Sequence, residues 1–487
     1  MKKLLTIITL IIAGVGINAQ TTMNIHQSNG SVLTLPLNTI DSITYTVANP
    51  GNLASLTTLP VGSVTDNSAI SGGNISNDGG STVTQHGVCW STSPNPSTAD
   101  NTAVGGSGTG NFTVSITGLN ANTEYFVRAY AINSAGTAYG NELSFTTSNG
   151  SSVTVPSTYV FTDENGNNTV AFAGQTARMD MLSEMTNYLK TANTSGGSNQ
   201  LDAATLLAMY DNSYTGWSDQ NLVGIVKQLK NKTALGDEGI IAQFETWMTE
   251  AAAATPPTEE GYYHQAETGH EWVQLIEKGL MSACFANQMT MNYLAGIEEQ
   301  DNSVAVDPAG GKFYTDMEHH WDEAYGYFTD AIDYPINGTD RFWGKYAFNT
   351  LEALLGSATT ISEAFRTGRA FISAGITAEV PAQVEIIQNE VRRMVAGMAI
   401  RYLNRTKQSV ADGDTQNMVN HNLSEAWAFI YGMMFCANSD LTPAQVMDLL
   451  NQIDSDFEGF SNSIQSINAV IDMIASASGL EAVADSL

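Results

Sequence analysis

A change of period near Ser148–Ser152 limits what this chain can fold into. Before it, apolar and polar residues alternate in short runs such as Val88–Trp90, Phe112–Ile116 and Tyr125–Ala131. After it, apolar residues recur every three or four positions over long stretches. A period of two suits a half-buried strand, and a period of 3.6 suits an amphipathic helix. No single sheet or bundle satisfies both, so the expectation is a multidomain chain: an N-terminal all-β sandwich, then a large all-α helical bundle. A length of 487 residues, more than one core usually serves, agrees.

Charge divides at the same place. Residues 20–149 carry one base, Arg128, against six acids, whereas residues 150–487 carry 16 bases and 43 acids, net −27. Such a surface repels phosphate, so nucleic acid and anionic membrane are poor partners. Cys89, Cys284 and Cys436 are too few and too scattered for a disulfide framework or a thiolate metal site. They are expected as buried small hydrophobes, with a Cys284–Cys436 pair left open.

In chain order, residues 1–19 combine Lys2-Lys3, the apolar run Leu4–Val15 and a small residue at the cut, which predicts a secretory signal peptide. No cysteine follows the cut and no later stretch is long and apolar enough to span a bilayer, so the expectation is export to the periplasm, cell surface or medium. Residues 20–48 predict a β-hairpin about Asn29-Gly30. Residues 49–148 form the sandwich, with turns at Asn77–Gly80 and Pro94–Pro96, and 149–155 the linker. One more hairpin is expected between Tyr159 and Phe172.

Within the sandwich, the run Gly118-Leu119-Asn120-Ala121-Asn122-Thr123-Glu124-Tyr125-Phe126-Val127-Arg128-Ala129-Tyr130-Ala131, followed by Asn133–Gly136, resembles the second half of a fibronectin type III domain. The resemblance implies that Leu119 and Tyr125 form a tyrosine corner and that Trp90 is the core tryptophan. It also implies a spacer or adhesion module without catalysis.

From Gln175 the pattern predicts helices over 176–190, 202–210, 219–230, 237–253, 262–299, 313–332, 341–355, 360–375, 381–408, 415–437, 443–454 and after Asn462. Thr442-Pro443 is an N-cap followed by proline at the first helical position. Three of these helices pair histidine with carboxylate at helical spacing: His270 with Glu277, His320 with Glu323, and His421 with Glu425. Converging, these six would form the ligand set of a divalent metal, as bundle cores do. Taken singly, each pair is equally a hydrogen-bonded structural network. His264 and His319 are read as rim residues. Gly432, on the His421 line, would let another helix approach closely. Arg366, Arg369, Arg392, Arg393 and Arg401 are read as neutralising acidic helix faces, with anion recognition as the alternative.

The segments GQTARMDMLSEMTNYLK, LDAATLLAMY, VKQLKNKTAL, HEWVQLIEKGLMSACF, YTDMEHHWDEAYGYF and HNLSEAWAFIYGM together resemble the family catalogued as domain of unknown function 4856, over about residues 156–487. A more distant similarity is to imelysin-like proteins, exported helical bundles linked to iron uptake and once classed as metallopeptidases. Their motif, Gly-x-His-x-x-Glu, is met here by His320 and Glu323, with Glu318 at the glycine position. These resemblances imply an exported binding protein for a metal ion or metal complex, held near a surface or outer-membrane partner. A metallopeptidase using Glu323 as base and a non-catalytic interaction module are the alternatives.

Overall fold

A computed structural model describes residues 22–26, 32–36, 51–62, 64–147, 153–336, 340–439 and 441–487. The expected signal peptide, the Asn29-Gly30 turn and residues 148–152 of the linker region lie outside the described residues. Within residues 1–51, β1 (Thr22–His26) and β2 (Val32–Pro36) pair antiparallel, with Met23 opposite Leu35 and Ile25 opposite Leu33.

The described residues of 55–146 hold eight strands: β3 (Ser55–Gly62), β4 (Ser68–Asn77), β5 (Gln85–Ser91), β6 (Asn101–Gly106), β7 (Gly110–Thr117), β8 (Glu124–Asn133), β9 (Gly136–Tyr139) and β10 (Leu143–Thr146). One sheet runs β3–β4–β7 and the other β10–β8–β5–β6, with β9 also on β8. Alternation along β8 turns Tyr125, Val127, Ala129 and Ala131 inward, and all are buried. Ala69 and Ile116 of the first sheet share one core with Val88, Trp90, Tyr125 and Val127 of the second, as in a sandwich. The Tyr125 hydroxyl accepts the Asn120 backbone N–H at 3.0 Å, with Leu119 buried in the same core. This is the corner geometry the sequence predicts, and Trp90 is a core residue as expected.

The rest is mostly helical. The α-helices are α1 (Ala173–Lys190), α2 (Ala203–Asp211), α3 (Glu238–Ala253), α4 (Trp272–Leu280), α5 (Asp316–Phe328), α6 (Phe342–Tyr346), α7 (Glu352–Leu355), α8 (Ser357–Ser373), α9 (Val380–Asp412), α10 (Gln416–Gly432), α11 (Pro443–Asp454), α12 (Phe457–Ser461) and α13 (Ile464–Ser478). Their apolar faces share a single core running from Tyr159 to Leu487, in which α10 packs along both α9 and α4. A methyl group at Gly432 would overlap Ser282 Oγ, so the close helix approach expected there is present. All three cysteines are unpaired and buried. Among the described residues no helix is long and apolar enough to cross a membrane.

Three expectations are corrected. The helix predicted over 219–230 is only a short 3₁₀ turn, Gln220–Leu222, followed by an irregular run. The Asn212 side-chain amide donates to the carbonyls of Leu222, Ile225 and Lys227, acceptors that a helix would need for itself, and Gly224 adopts φ +74°. The helix predicted from residue 262 begins only at Trp272, because Gly269 turns the chain with φ +101° and Gln265 pairs with Glu271 as an isolated bridge. Beyond Leu280 that helix widens into π turns over Met281–Ala286 and Gln288–Tyr293. Finally, α5 begins at Asp316 rather than 313. Lys312–Thr315 is a short strand, and Thr315 with Glu318 forms a capping box.

Candidate functional site

The delayed start of α4 has a chemical consequence. Glu271 stands at its N-cap, and Gln274, Glu277 and Lys278 follow on one side. That side faces α1, the α6 turn, α9 and α10 across a polar cavity of ≈ 670 Å³. From α10 come His421 and Glu425, one turn apart as the sequence predicts. Five cations line the same space: Lys190, Lys278, Lys345, Arg401 and Arg405. Lys190, Lys345 and Arg405 are exposed at the mouth, while Glu271, Gln274, Glu277, Lys278 and Glu425 are buried at the floor.

The floor is a set of coupled charges. Lys278 Nζ donates to Glu277 Oε2 at 2.8 Å and lies 5.4 Å from the Tyr346 ring centre. Burial opposes charge on both partners, yet their mutual attraction prevails: the Lys278 pKa is held well above the usual lysine value and that of Glu277 is lowered. His421 Nδ1 bonds Glu271 Oε2, and its ring stacks on Tyr263 at 4.0 Å. Burial disfavours the imidazolium, but Glu271 outweighs it and raises the His421 pKa. Glu425 has no such counterpart. Burial pushes its carboxyl up to about 7 against the pull of Lys278 and His421, and its Oε2 has no hydrogen-bond partner among the described residues. Near neutral pH the floor therefore holds a fixed cation, a protonatable imidazole and a half-ionised carboxyl.

Of the six residues predicted as metal ligands, the structure brings Glu277, His421 and Glu425 to this cavity and the other three elsewhere. His270 precedes α4 instead of sharing its polar face, and lines a second cavity, where its Nε2 meets Asp454 Oδ1 at 3.0 Å. His320 and Glu323 lie on α5: His320 packs edge-on to Tyr293, and Glu323 Oε1 accepts from Gln175 Nε2 at 2.8 Å. Among the described residues, no three His, Cys, Asp or Glu side chains are placed to hold a metal ion. His264, read as a rim residue, is buried to 1% exposure, whereas His319 is partly exposed and stacks on Tyr314.

The α5 stretch is organised around a buried ion-pair network. Arg369, fully buried on α8, bonds Asp322 Oδ1 at 2.9 Å and Glu318 Oε1 at 2.5 Å. Tyr159 Oη donates to Asp322 at 2.8 Å and the Ala171 N–H at 3.0 Å. Glu318, at the glycine position of the imelysin motif, thus anchors α8 to α5. Of the other arginines singled out in sequence, Arg393 pairs with Glu390 at 2.7 Å and Arg401 reaches the polar cavity.

The sequence reading missed Glu271, Lys278 and the mouth cations. Thr268-Gly269 just before His270 is the signal that would have moved the helix start and revealed Glu271. The mouth cations carry no local signal, since three separate helices, α1, α6 and α9, contribute them.

The family model described as domain of unknown function (DUF4856) matches residues 156–239 and 240–481. The chain belongs to the DUF4856 family. The match covers every residue of the polar cavity, so the DUF4856 region contains it whole. No curated protein matches the chain. Among solved structures, the chain is similar to the twitchin kinase region from C. elegans at 17% identity, covering 26% of this chain and 24% of that one, with a TM-score of 0.15. The chain thus spans about a quarter of that structure, and so low a score supports no argument.

Proposed function

We propose that the DUF4856 region is a binding domain for a small organic anion, received in the polar cavity between α1, α4, α9 and α10. The observation that carries this reading is the gathering of five of the domain's 16 bases at one cavity in a region of net charge −27. Two of the three carboxylates there are already engaged, Glu277 by Lys278 and Glu271 by His421. Lys190, Lys345 and Arg405 form no ion pair among the described residues, and so are available to carboxylate or phosphate oxygens. The bland role for arginines, neutralising helix faces, accounts for Arg393 but not for this convergence.

In this reading residues 1–19 direct export, and the β domain, with its Tyr125 corner of fibronectin type III kind, holds the binding domain off a surface partner. Metal enters as part of an anionic chelate rather than on the six expected ligands. Calorimetry with di- and tricarboxylates and phosphate esters, each free and as its ferric chelate, tests this. A saturable anion site is expected, weakened about tenfold by Lys345→Ala with Arg405→Ala, since two exposed charges contribute on the order of 0.5–1 kcal/mol each. Binding of a bare divalent ion alone, unaffected by the double variant, would overturn the reading.

A further inference from the structure

The second cavity, of ≈ 560 Å³, lies between α3, α10 and α11 and the segment leading into α4. Its character is the reverse of the first. Trp247, Trp272, Trp427 and Tyr431 form its walls, and all four are buried. The Trp427 and Tyr431 rings are nearly parallel, 5.4 Å apart at 16°, and the Trp247 ring stands against both at 76° and 69°. An aromatic corner of three packed rings results.

The charged lining of this corner is acidic. Glu250 and Asp454 stand exposed at the rim, and among the described residues neither lysine nor arginine lines the cavity. Asp454 Oδ1 accepts from Trp427 Nε1 at 2.7 Å and meets His270 Nε2 at 3.0 Å, which fixes the carboxylate beside the aromatic wall. Trp272 Nε1 and Tyr431 Oη, both in the walls, have no protein acceptor among the described residues.

We propose that this cavity is a second site, for an organic cation of the alkylated-ammonium class. The negative faces of tryptophan and tyrosine attract a cation most strongly where water is excluded, and the rim carboxylates supply the long-range attraction. An oxygen on the ligand two or three bonds from the nitrogen would give the unpartnered donors an acceptor. A purely apolar guest would use the rings but not the rim.

Tryptophan fluorescence titration of the full chain with choline, tetramethylammonium and the uncharged isostere 3,3-dimethylbutanol tests the proposal. The two cations are expected to saturate and quench, with the isostere at least about tenfold weaker, the scale of a desolvated cation–π contact. Glu250→Gln, an exposed change, should weaken both cations severalfold and leave the melting temperature and the isostere's affinity unchanged. Trp427→Phe removes ring area and the Asp454 bond together, and should abolish quenching while circular dichroism stays that of a helical protein. Equal affinity for the isostere, indifference to Glu250→Gln, or no saturation by either cation at millimolar concentration would overturn the proposal. Because neither Lys345 nor Arg405 lines the aromatic cavity, their double variant should leave cation binding intact, which separates this site from the anion site.

Discussion

Glu271, the residue that stops just short of α4, reaches across to α10, where its Oε2 bonds His421 Nδ1. The carboxylate is 1% exposed and the imidazole side chain 18%, so the pair ties two helices through a partly dry contact. Since the folded pKa of His421 lies above its ordinary 6.5, the pair stabilises the fold fully below that value and the contribution is lost as pH rises through the folded pKa. His421→Ala leaves Glu271 buried without its partner and should cost roughly 3 kcal/mol at mildly acidic pH, less in alkali. Urea melts of both proteins across that range measure the difference. A constant difference at every pH would refute the pairing.

Glu425 predicts a trend of the same sign from a different cause. Its carboxyl ionises at about 7 in the folded chain against 4.5 when exposed, so the fold binds the extra proton between those values and loses stability as pH rises through them. Glu425→Gln keeps the shape and removes the ionisation. The variant is expected to be more stable than the natural chain at pH 8, by on the order of 1–3 kcal/mol, and indistinguishable at pH 4. Anion binding should also draw a proton onto Glu425, read as a binding enthalpy that changes with the ionisation enthalpy of the buffer.

Arg369→Met strands Asp322 and Glu318 without their cation in the core. Loss of one partner from such a buried network costs about 3–5 kcal/mol. Adding Asp322→Asn and Glu318→Gln should recover much of the loss, and chemical denaturation of the single and triple variants reports it. No recovery would mean that Arg369 acts by packing alone.

Tyr125→Phe removes one hydrogen bond, to the Asn120 N–H, and leaves the ring in place. A cost of about 1 kcal/mol is expected in the β domain. The apolar cores of the β and helical regions share no residue, so the helical transition should stay where it was. A chain begun at Val153 should likewise keep its helical circular dichroism and melt cooperatively; aggregation would place essential contacts upstream.

The sandwich was legible because β8 sets Tyr125, Val127, Ala129 and Ala131 at a period of two and the chain turns where Gly and Asn allow it. For the same reason α11 begins where Thr442-Pro443 says it should. The failures have equally local causes. Asn212 takes three carbonyls from a would-be helix ten to fifteen residues away, a contact no window of sequence reveals. One glycine, Gly269, put His270 on a different wall from Glu277. Within the α5 motif the eye falls on His319-His320, while the residues that matter to the fold are Glu318 and Asp322, whose partner Arg369 lies on another helix.

Helices α4 and α10 are the shared partition between the two cavities. On α4, Gln274, Glu277 and Lys278 face the polar one, and Trp272 and Leu275 the aromatic one. On α10, His421 and Glu425 face the first, and Trp427 and Tyr431 the second. If filling one chamber displaces either helix of this common wall, the other chamber changes shape and the two occupancies become thermodynamically linked. Whatever factor an anion imposes on the affinity for a cation, the cation must return to the anion, so the two guests would report on each other across a single layer of helix.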